Sequence, residues 1–373
     1  MIERMAKARQ AKLVNAKALK TFCREVFERF GVSPDDAEIT SDVLVSADLR
    51  GVDSHGVTRL SRYVNYLREG RARAQFEIRI LHETSTTAVM DGGAGLGPPV
   101  AYRAMRLAIS KARESNVGFA AARNSNHFGI AGYYSMMALE HDMIGISASN
   151  AKPVVLPTFG CEAMLGTNPM SIAVPAGREH PLVLDMATST VAQGKLEICE
   201  RAGKAIPLGW ATDEKGQLTN DPRLVLRGIR EKRRQGGLLP LGGMGEDLGG
   251  HKGYGLAFVV DVFSALLSGA ACSALTYPED RDGRPLPSNI SHFFGAIRVD
   301  GFRQLSEFKA SMDDLIRRIK NSSKLEGFDR IYIHGEKEFE MAEQREREGI
   351  PLDAEVALDL ETMAKDLGLR VPF

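Results

Sequence analysis

The feature that most constrains the fold is a series of short apolar runs across the middle of the chain. They fall at residues 85–91, 117–122, 144–149, 171–174 and 182–185, and glycine or proline lies between them. Short runs bounded by turn residues are typical of β-strands. Because they do not alternate regularly with helices, they differ from the pattern of a parallel sheet. The sequence therefore predicts a mixed or largely antiparallel sheet.

A glycine-rich turn at residues 92–97 follows the first run and precedes a helical pattern, as the Rossmann dinucleotide fingerprint requires. The spacing fails, because Gly93 and Gly95 would need a small residue at position 98, which is Pro98. No strand about 20 residues further on ends in an acidic residue suited to a ribose. We interpret this segment as a structural tight turn and expect a non-Rossmann fold.

Helical patterns surround the strand-rich region. Residues 12–50 are predicted to be helical, with Ser33 as an N-cap and Pro34 at a first helical position. The strongly apolar residues 253–269 predict a buried helix, and the polar, glycine-rich residues 216–250 predict a long surface loop. Apolar periodicity predicts the remaining helices at residues 59–67, 101–112, 131–140, 304–321 and 352–367.

Residues 53–59 read DSHGVTR and bring an imidazole, a hydroxyl and a guanidinium close together in the chain. The imidazole of His55 can carry a proton near neutral pH. The guanidinium of Arg59 can hold a carboxylate through two parallel hydrogen bonds. Arg59 and Tyr63 are four residues apart and share a helix face. This heptad predicts proton transfer beside a bound carboxylate.

A second histidine of interest, His127, lies in the run NSNHFG at residues 124–129. His55 and His127 each follow small polar residues and precede glycine or Phe-Gly. A lone histidine is more often structural or solvated, so the residues alone leave both as candidates for acid–base chemistry. The neighbouring residues suggest no catalytic role for five other histidines: His82, His141, His180, His292 and His334.

Residues 242–255 form a second glycine-rich run, GGMGEDLGGHKGYG, which leads into the apolar helix. Backbone N–H groups at a helix start favour anions, and Lys252 adds a positive charge. We predict that a phosphate or pyrophosphate binds here. The run is not a Walker A loop, because no Ser or Thr follows the lysine. The alternative is a loop whose glycines merely turn the chain.

Two further turns carry polar groups. Thr167 and Asn168 lie between predicted strands and offer a hydroxyl and an amide. Asp185 ends a predicted strand and opens the run DMATS. Its carboxylate can orient an imidazole, bind a ribose or cap the strand end, and the residues alone leave these alternatives open.

Composition argues against several kinds of partner. The 48 basic and 48 acidic residues balance, so no global field draws the chain to nucleic acid or to an anionic membrane. No apolar stretch reaches the roughly 18 residues of a spanning helix, and the basic N-terminus lacks a signal peptide's apolar core. The four cysteines show no CxxC spacing, so no metal site or disulfide framework is predicted. We expect a soluble protein in a reducing, cytoplasmic setting.

Several motifs follow one another in order along the chain. They are DSHG with Arg59, NHFG at 126–129, GTNP at 166–169, DMATS at 185–189 followed by Gly194-Lys195, and GHKGYG at 250–255. Together they resemble the malate/L-lactate dehydrogenase family of the second type, with its ureidoglycolate, sulfolactate, 2,3-diketogulonate and piperideine-2-carboxylate relatives. The resemblance runs from about residue 15 to the C-terminus. It implies an oxidoreductase that transfers a hydride between a nicotinamide cofactor and a 2-hydroxy or 2-oxo acid.

The resemblance also implies a fold and an assembly. The fold class is α/β (mixed α+β), with a non-Rossmann NAD(P)-binding domain on a largely antiparallel sheet and a helical domain from the N- and C-terminal segments. We predict an N-terminal helical, substrate-binding and dimer region at 1–115. A nucleotide-binding domain is predicted at 116–285, and residues 286–373 complete the first domain. A homodimer is expected, with no nucleic-acid or membrane partner.

Catalytic roles follow from the same resemblance. His127 matches the proton acceptor of ureidoglycolate dehydrogenase-like members, and His55 matches the proton donor of diketogulonate reductase-like members. We favour His127 as the acid–base group, with His55 orienting the substrate or sharing the proton. Asp185 is a third catalytic candidate.

Binding roles are implied at two sets of positions. Ser54, Arg59 and Tyr63 match substrate-contacting positions. The predicted cofactor contacts are Thr167, Asn168, Asp185, Met186, Ala187, His251, Lys252, Gly253 and Asn289.

The expected substrates are malate and oxaloacetate, or a pair like lactate and pyruvate, with NAD favoured over NADP. One alternative is an NADPH-dependent reductase of cyclic imino acids such as piperideine- or pyrroline-2-carboxylate. Another is a non-catalytic metabolite-binding protein of the same fold. The sequence does not name the acid, because the choice of substrate depends on the shape of the pocket.

Overall fold

A seven-stranded sheet forms the centre of the chain. The computed structural model describes residues 12–231 and 234–373. The strands are β1 (Lys12–Val14), β2 (Arg79–Glu83), β3 (Thr87–Asp91), β4 (Val117–Ser125), β5 (Met143–Ser149), β6 (Met170–Val174), β7 (Leu182–Met186), β8 (Ala211–Thr212), β9 (Leu218–Thr219), β10 (Gly237–Leu238), β11 (Ile290–Arg298) and β12 (Ile350–Leu352). The large sheet has the strand order β2-β3-β4-β11-β5-β6-β7. Of two smaller sheets, one pairs β1 with β12 and the other has the order β10-β8-β9.

Within the large sheet, β3 and β4 pair in parallel, whereas the other neighbouring strands pair antiparallel. The five apolar runs of the sequence correspond to β3, β4, β5, β6 and β7. The prediction of a mixed, largely antiparallel sheet is therefore confirmed. The turn before residue 98 packs closely against the chain. A Cβ on Gly92 or Gly97 would meet backbone atoms of residues 123–127, and one on Gly93 would meet the backbone of Glu77.

The helices enclose the large sheet and extend from its ends. Ser33 accepts a hydrogen bond from the backbone of Asp36, and Pro34 opens the second helix, as predicted. The helices are α1 (Ala16–Arg29), α2 (Pro34–Leu49), α3 (Leu60–Arg68), α4 (Gly97–Ser115), α5 (Ala131–Met137), α6 (Gln193–Arg201), α7 (Pro222–Arg230), α8 (Gly250–Asp261), α9 (Leu305–Lys320), α10 (Glu336–Glu348) and α11 (Ala354–Leu367).

Two segments differ from the sequence prediction. Residues 12–14 form β1, which pairs with β12, so the helix predicted from residue 12 begins only at Ala16. Residues 216–250 are not one long loop, because β9, α7 and β10 lie within them. Asp221 caps α7 and Pro222 opens it, a start signal that the loop prediction overlooked. The apolar side of α7 is buried through Val225 and Leu226.

The apolar helix predicted at residues 253–269 is only half-buried, so the prediction of a buried helix is wrong. It begins at Gly250 as α8 and continues as a π-helix over Val262–Leu266. Ala257, Val260 and Ala265 are buried. The opposite side is apolar too, and in the single chain it faces outward. Its residues are 38–56% exposed: Leu256, Phe258, Val259, Phe263, Leu266 and Leu267.

The large sheet draws strands from all three segments of the predicted domain division. β2 and β3 come from residues 1–115, and β11 comes from residues 286–373. The division at residues 115 and 285 stays a prediction. None of the described helices has the length and apolar character needed to cross a bilayer. Within the described residues, no group of His, Cys, Asp or Glu is placed to hold a metal ion.

Candidate active site

The predicted heptad forms the connection between α2 and α3. It folds as two short 3₁₀ helices, Asp53–His55 and Val57–Arg59. The buried carboxylate of Asp48, in the last turn of α2, accepts a 2.8 Å hydrogen bond from the Val57 backbone. A Cβ on Gly56 would lie 1.8 Å from that carboxylate, so only glycine fits there. Burial raises the pKa of Asp48, opposed by the Val57 hydrogen bond. Asp48 thus fixes the turn that presents His55 and Arg59.

His127 is presented by the loop after β4. A Cβ on Gly97 would lie 2.2 Å from the carbonyl oxygen of His127, so the start of α4 packs directly against this loop. Asn126 donates a 2.8 Å hydrogen bond from Nδ2 to the Gly95 carbonyl. The ring of Phe128 stacks on the buried His292 at 4.7 Å. The glycine turn therefore serves to position His127.

The structure brings the two candidate histidines together from these separate segments. Their rings stack with centroids 5.5 Å apart and an interplanar angle of 23°. Tyr63 Oη lies 2.7 Å from Nδ1 of His127, and Ser54 Oγ lies 2.9 Å from Nδ1 of His55. Both imidazoles are half-buried. Each ring is thus oriented through Nδ1, which leaves Nε2 for chemistry.

The surroundings keep both imidazoles neutral at neutral pH. Burial, then Arg59 and Arg62, lower the pKa of His55 to about 3. Burial, then His55, Arg62 and Arg59, hold the pKa of His127 well below its usual value. A proton on one ring disfavours a proton on the other, because the rings are adjacent. The pair can therefore accept one proton from a bound hydroxyl group.

Arg59 lies where the heptad meets α6. Its Nε donates a 2.7 Å hydrogen bond to the Ser54 carbonyl, and its Nη2 lies 3.8 Å from Glu197 Oε2. A Cβ on Gly194 would lie 3.1 Å from the same Nη2. Arg59 and Glu197 both line a cavity of about 90 Å³. The loose ion pair leaves the guanidinium able to take a carboxylate.

Asp185, the third catalytic candidate, lies at the end of β7 and points elsewhere. Its Oδ2 accepts a 2.7 Å hydrogen bond from the Gly132 backbone at the start of α5. Desolvation by the surrounding protein raises the pKa of Asp185 to about 6, opposed by this hydrogen bond, although the residue itself is exposed. Among the described residues, no hydrogen bond joins Asp185 to an imidazole. The structure places it as a cap of α5.

Most of the predicted cofactor residues gather around one point. Thr188, which follows Met186 and Ala187, bonds through its backbone to the Thr167 carbonyl and accepts from the Leu241 N–H. A Cβ on Gly253 would lie 2.2 Å from the Leu241 carbonyl, so α8 packs directly against the backbone at Leu241. The GTNP turn, the DMATS run and the glycine-rich loop are therefore contiguous.

Asn168 connects this group to α8 and is fully buried. Its Nδ2 donates to the Ala257 carbonyl at 2.8 Å and to Asp261 at 3.0 Å. These hydrogen bonds occupy the amide, so the side chain of Asn168 stabilises the site through contacts within the protein.

His251 and Lys252 lie exposed at the start of α8, which has no side-chain cap. An uncapped helix start beside a lysine is suited to an anion. Asn289 lies apart from this group. It lines an open cavity of about 290 Å³ with Asp91 and Arg123, beyond the ends of β3 and β4.

Sequence reasoning missed three residues of this site: Asp48, Arg62 and His292. An acidic side chain in the last turn of α2 opposes the helix dipole, and that signal could have indicated a specific partner for Asp48. Arg62 lies three residues after Arg59 and could have been grouped with it. His292 shares a face of β11 with the apolar Ile290 and Phe294, and nothing in that pattern marks it.

His292 is expected to make the fold acid-sensitive. Its two ring nitrogens each lie 2.9 Å from a serine hydroxyl, of Ser149 and Ser125, and burial lowers its pKa from 6.5 to about 3. The unfolded chain binds the extra proton below pH 6.5, so stability is full above that pH and falls toward pH 3. We expect His292→Gln to flatten this fall by up to about 1.4 kcal/mol per pH unit.

The measurement is urea unfolding followed by circular dichroism from pH 7 to pH 4. The exposed His82 gives a matched control in His82→Gln. An unchanged pH dependence in His292→Gln, relative to wild type and control, would contradict the assignment.

Comparisons with known proteins cover nearly the whole chain. A sequence model described as malate/L-lactate dehydrogenase matches residues 14–361. The malate dehydrogenase of Pyrococcus abyssi is 46% identical over 94% of this chain and 94% of its own. The L-sulfolactate dehydrogenase of Methanocaldococcus jannaschii is 40% identical over 93% of this chain and 95% of its own. The structure of malate dehydrogenase from Entamoeba histolytica superposes with a TM-score of 0.93, at 37% identity, covering 98% of this chain and 100% of that one.

Proposed function

The chain belongs to the malate/L-lactate dehydrogenase family, and we propose that it interconverts malate and oxaloacetate with NAD as cofactor. It is an oxidoreductase of hydroxy acids, as its relatives are. The observation that carries the proposal is the stacked imidazole pair of His55 and His127 beside the guanidinium of Arg59. A neutral base and a cation side by side suit a substrate with a hydroxyl next to a carboxylate.

The residues present fit a nicotinamide dinucleotide. The uncapped start of α8 with Lys252 offers donors and positive charge to a pyrophosphate. Met186 and Ala187 lie half-exposed next to this loop. A nicotinamide held by these residues would supply the redox chemistry, a hydride transfer to or from C2 of the acid.

The protein's own residues handle the proton and the charge. Arg59 holds the C1 carboxylate, with the Ser54 hydroxyl and Tyr63 beside it. In the tautomer with its proton on Nδ1, His127 donates to Tyr63 Oη, and Nε2 is free to accept the hydroxyl proton. The long 3.4 Å hydrogen bond from the Gly129 N–H to Nδ1 belongs to the other tautomer. The substrate carboxylate offsets the neighbouring guanidiniums and brings the pKa of His127 back toward neutrality. In reduction the same imidazolium returns the proton to the forming hydroxyl group.

A matrix of cofactors and substrates tests the proposed function. Wild-type enzyme is assayed by nicotinamide absorbance with NADH and NADPH against oxaloacetate, pyruvate and piperideine-2-carboxylate. We expect the highest kcat/KM with NADH and oxaloacetate. A preference for piperideine-2-carboxylate with NADPH would favour an imino acid reductase. Absence of turnover across the whole matrix would contradict the proposal.

We also propose a homodimer in which the outer face of α8 packs against a second copy. Leu256, Val259, Phe263 and Leu266 are spaced for one helix face and are 38–56% exposed. A contiguous apolar face on a water-soluble enzyme indicates an interface. A second copy is the occupant that family resemblance predicts. The cytoplasmic location stays a prediction from the sequence.

The double substitution Val259→Glu and Leu266→Glu is expected to convert two-chain particles into single chains, since it places four carboxylates in a symmetric interface. Sedimentation velocity at micromolar concentration measures this. Leu315→Glu on α9, where Leu315 is 52% exposed, is the matched control. A wild-type protein that sediments as a single chain would contradict the proposal.

A further inference from the structure

Arg62 is a guanidinium in the active site with no acidic partner. It lies on α3 and is half-buried. Its Nε donates a 2.7 Å hydrogen bond to Tyr66 Oη, and its guanidinium carbon lies 5.4 Å from the centre of the Tyr66 ring. Within residues 12–231 and 234–373, no carboxylate pairs with it, and its terminal nitrogens donate no hydrogen bond. Four of its five N–H donors are therefore available.

Several other shielded arginines have acidic partners, whereas Arg50 lies over the Phe339 ring and, among the described residues, forms no ion pair. Arg59 lies 3.8 Å from Glu197, and Arg103 lies 2.6 Å from Asp36. Arg71 contacts Glu69 at 3.3 Å. A guanidinium withdrawn from water is costly unless an anion compensates it. Among the described residues, the surroundings of Arg62 therefore supply no negative charge to balance its guanidinium.

The phenols around Arg62 do not supply that charge. Burial holds the pKa of Tyr277 well above its usual value, so this hydroxyl stays neutral at neutral pH. Burial likewise raises the pKa of Tyr63. The aromatic rings stabilise the guanidinium through their faces and leave its charge uncancelled.

The position of Arg62 relates it to the reacting groups. Its charge acts on both imidazoles, and it acts on His127 more strongly than Arg59 does. Arg62 lies three residues after Arg59 and directly before Tyr63, whose Oη contacts His127, and its charge acts on Arg59. Of the two guanidiniums, Arg59 has a carboxylate beside it, and Arg62 has none among the described residues.

We propose that Arg62 binds the second acidic group of the substrate, the one farther from the reacting carbon, while Arg59 holds the C1 carboxylate. The inference rests on the proposed function and deepens it. It makes the enzyme selective for hydroxy acids with two acidic groups over those with one, since a one-acid substrate leaves Arg62 without a counter-ion. The second group is a planar or tetrahedral oxyanion, both of which a guanidinium fork can grip.

The test compares malate with 2-hydroxybutyrate, which carries a methyl group where malate has its second carboxylate. In Arg62→Met, the ratio of kcat/KM for malate to that for 2-hydroxybutyrate is expected to fall about 100-fold or more, because a shielded charge pair is lost. Arg62→Lys keeps the charge without the guanidinium fork, and its kcat/KM ratio is expected to lie between those of wild type and Arg62→Met. Arg68→Met is the matched control: Arg68 is on the same helix, its guanidinium lies 5.0 Å from the Phe30 ring, and the ratio should not change.

Binding without turnover separates this inference from the proposed function. Calorimetric titration of wild type, Arg62→Met and Arg62→Lys with malate and with 2-hydroxybutyrate gives the same ratio from Kd values. A malate-specific loss in Arg62→Met supports the inference even if the wild type oxidises neither acid. Equal losses for both acids, or no loss for malate, would overturn it. If Arg62→Met fails to fold, Arg62→Lys decides by the same criterion.

Discussion

Replacing His127 with asparagine is expected to lower kcat/KM for malate oxidation by about 10²- to 10⁴-fold, the usual contribution of a positioned acid–base group. The asparagine amide can still bond to Tyr63 Oη, which now lies 2.7 Å from Nδ1, but it cannot accept a proton. The effect should fall mainly on kcat, because Arg59 still binds the substrate. Steady-state kinetics from pH 6 to pH 9 measure this loss.

His55→Asn and His141→Asn complete the experiment. His141 is exposed and contacts Arg113 outside the site, so its variant should retain wild-type kinetics. His55→Asn should lose less than His127→Asn, because His55 is bonded to Ser54 and acts beside the reacting group. Near-normal turnover in His127→Asn with a deep loss in His55→Asn would reverse the two roles.

Arg59→Met is expected to raise KM for malate and to lower kcat/KM by about 10²- to 10³-fold, because the substrate carboxylate loses a charged, two-pronged partner. The variant also leaves Glu197, now 3.8 Å from Nη2, as an unpaired anion facing the substrate. Arg59→Lys should recover part of the loss, since it restores the charge without the fork.

Arg201→Met is the control for Arg59→Met. Arg201 lines the same cavity but pairs with Glu355 at 3.4 Å. The Arg201→Met variant should keep KM for malate within about twofold of the wild-type value, because surface ion pairs contribute little. An Arg59→Met variant with unchanged KM for malate would rule out this residue as the carboxylate clamp. Thermal unfolding of both variants separates a loss of binding from a loss of structure.

The strands β3 to β7 could be predicted from the sequence because each has its own local signal, whereas the exposed strand β2 was not predicted. A run such as 171–174 needs only its own apolar residues and the turns around it. The cap at Ser33 and Pro34 is equally local, and both predictions are confirmed. Asp221 and Pro222 carry the same local signal, and the loop prediction there was wrong because glycine content outweighed it.

The apolar stretch from residue 253 shows where such reasoning stops. Hydrophobicity around a whole helix indicates that every face is covered, and it says nothing about what covers it. One face of α8 is buried through Ala257 and Val260, whereas Leu256 and Phe263 face outward in the single chain. In the proposed homodimer, the second copy would cover that face.

By itself, the sequence determined the residue types of the site, the order of its motifs and the class of fold, because these depend on neighbours within a few positions. Only the tertiary structure decided that His55 and His127, 72 positions apart in the sequence, stack at 5.5 Å where the charges of Arg59 and Arg62 lower both pKa values. It also decided that Asp48 holds the heptad, that Asp185 caps α5, and that Arg62 has no acidic partner among the described residues. Burial, shared hydrogen bonds and pKa shifts are properties of contacts between distant segments, and no local pattern encodes them.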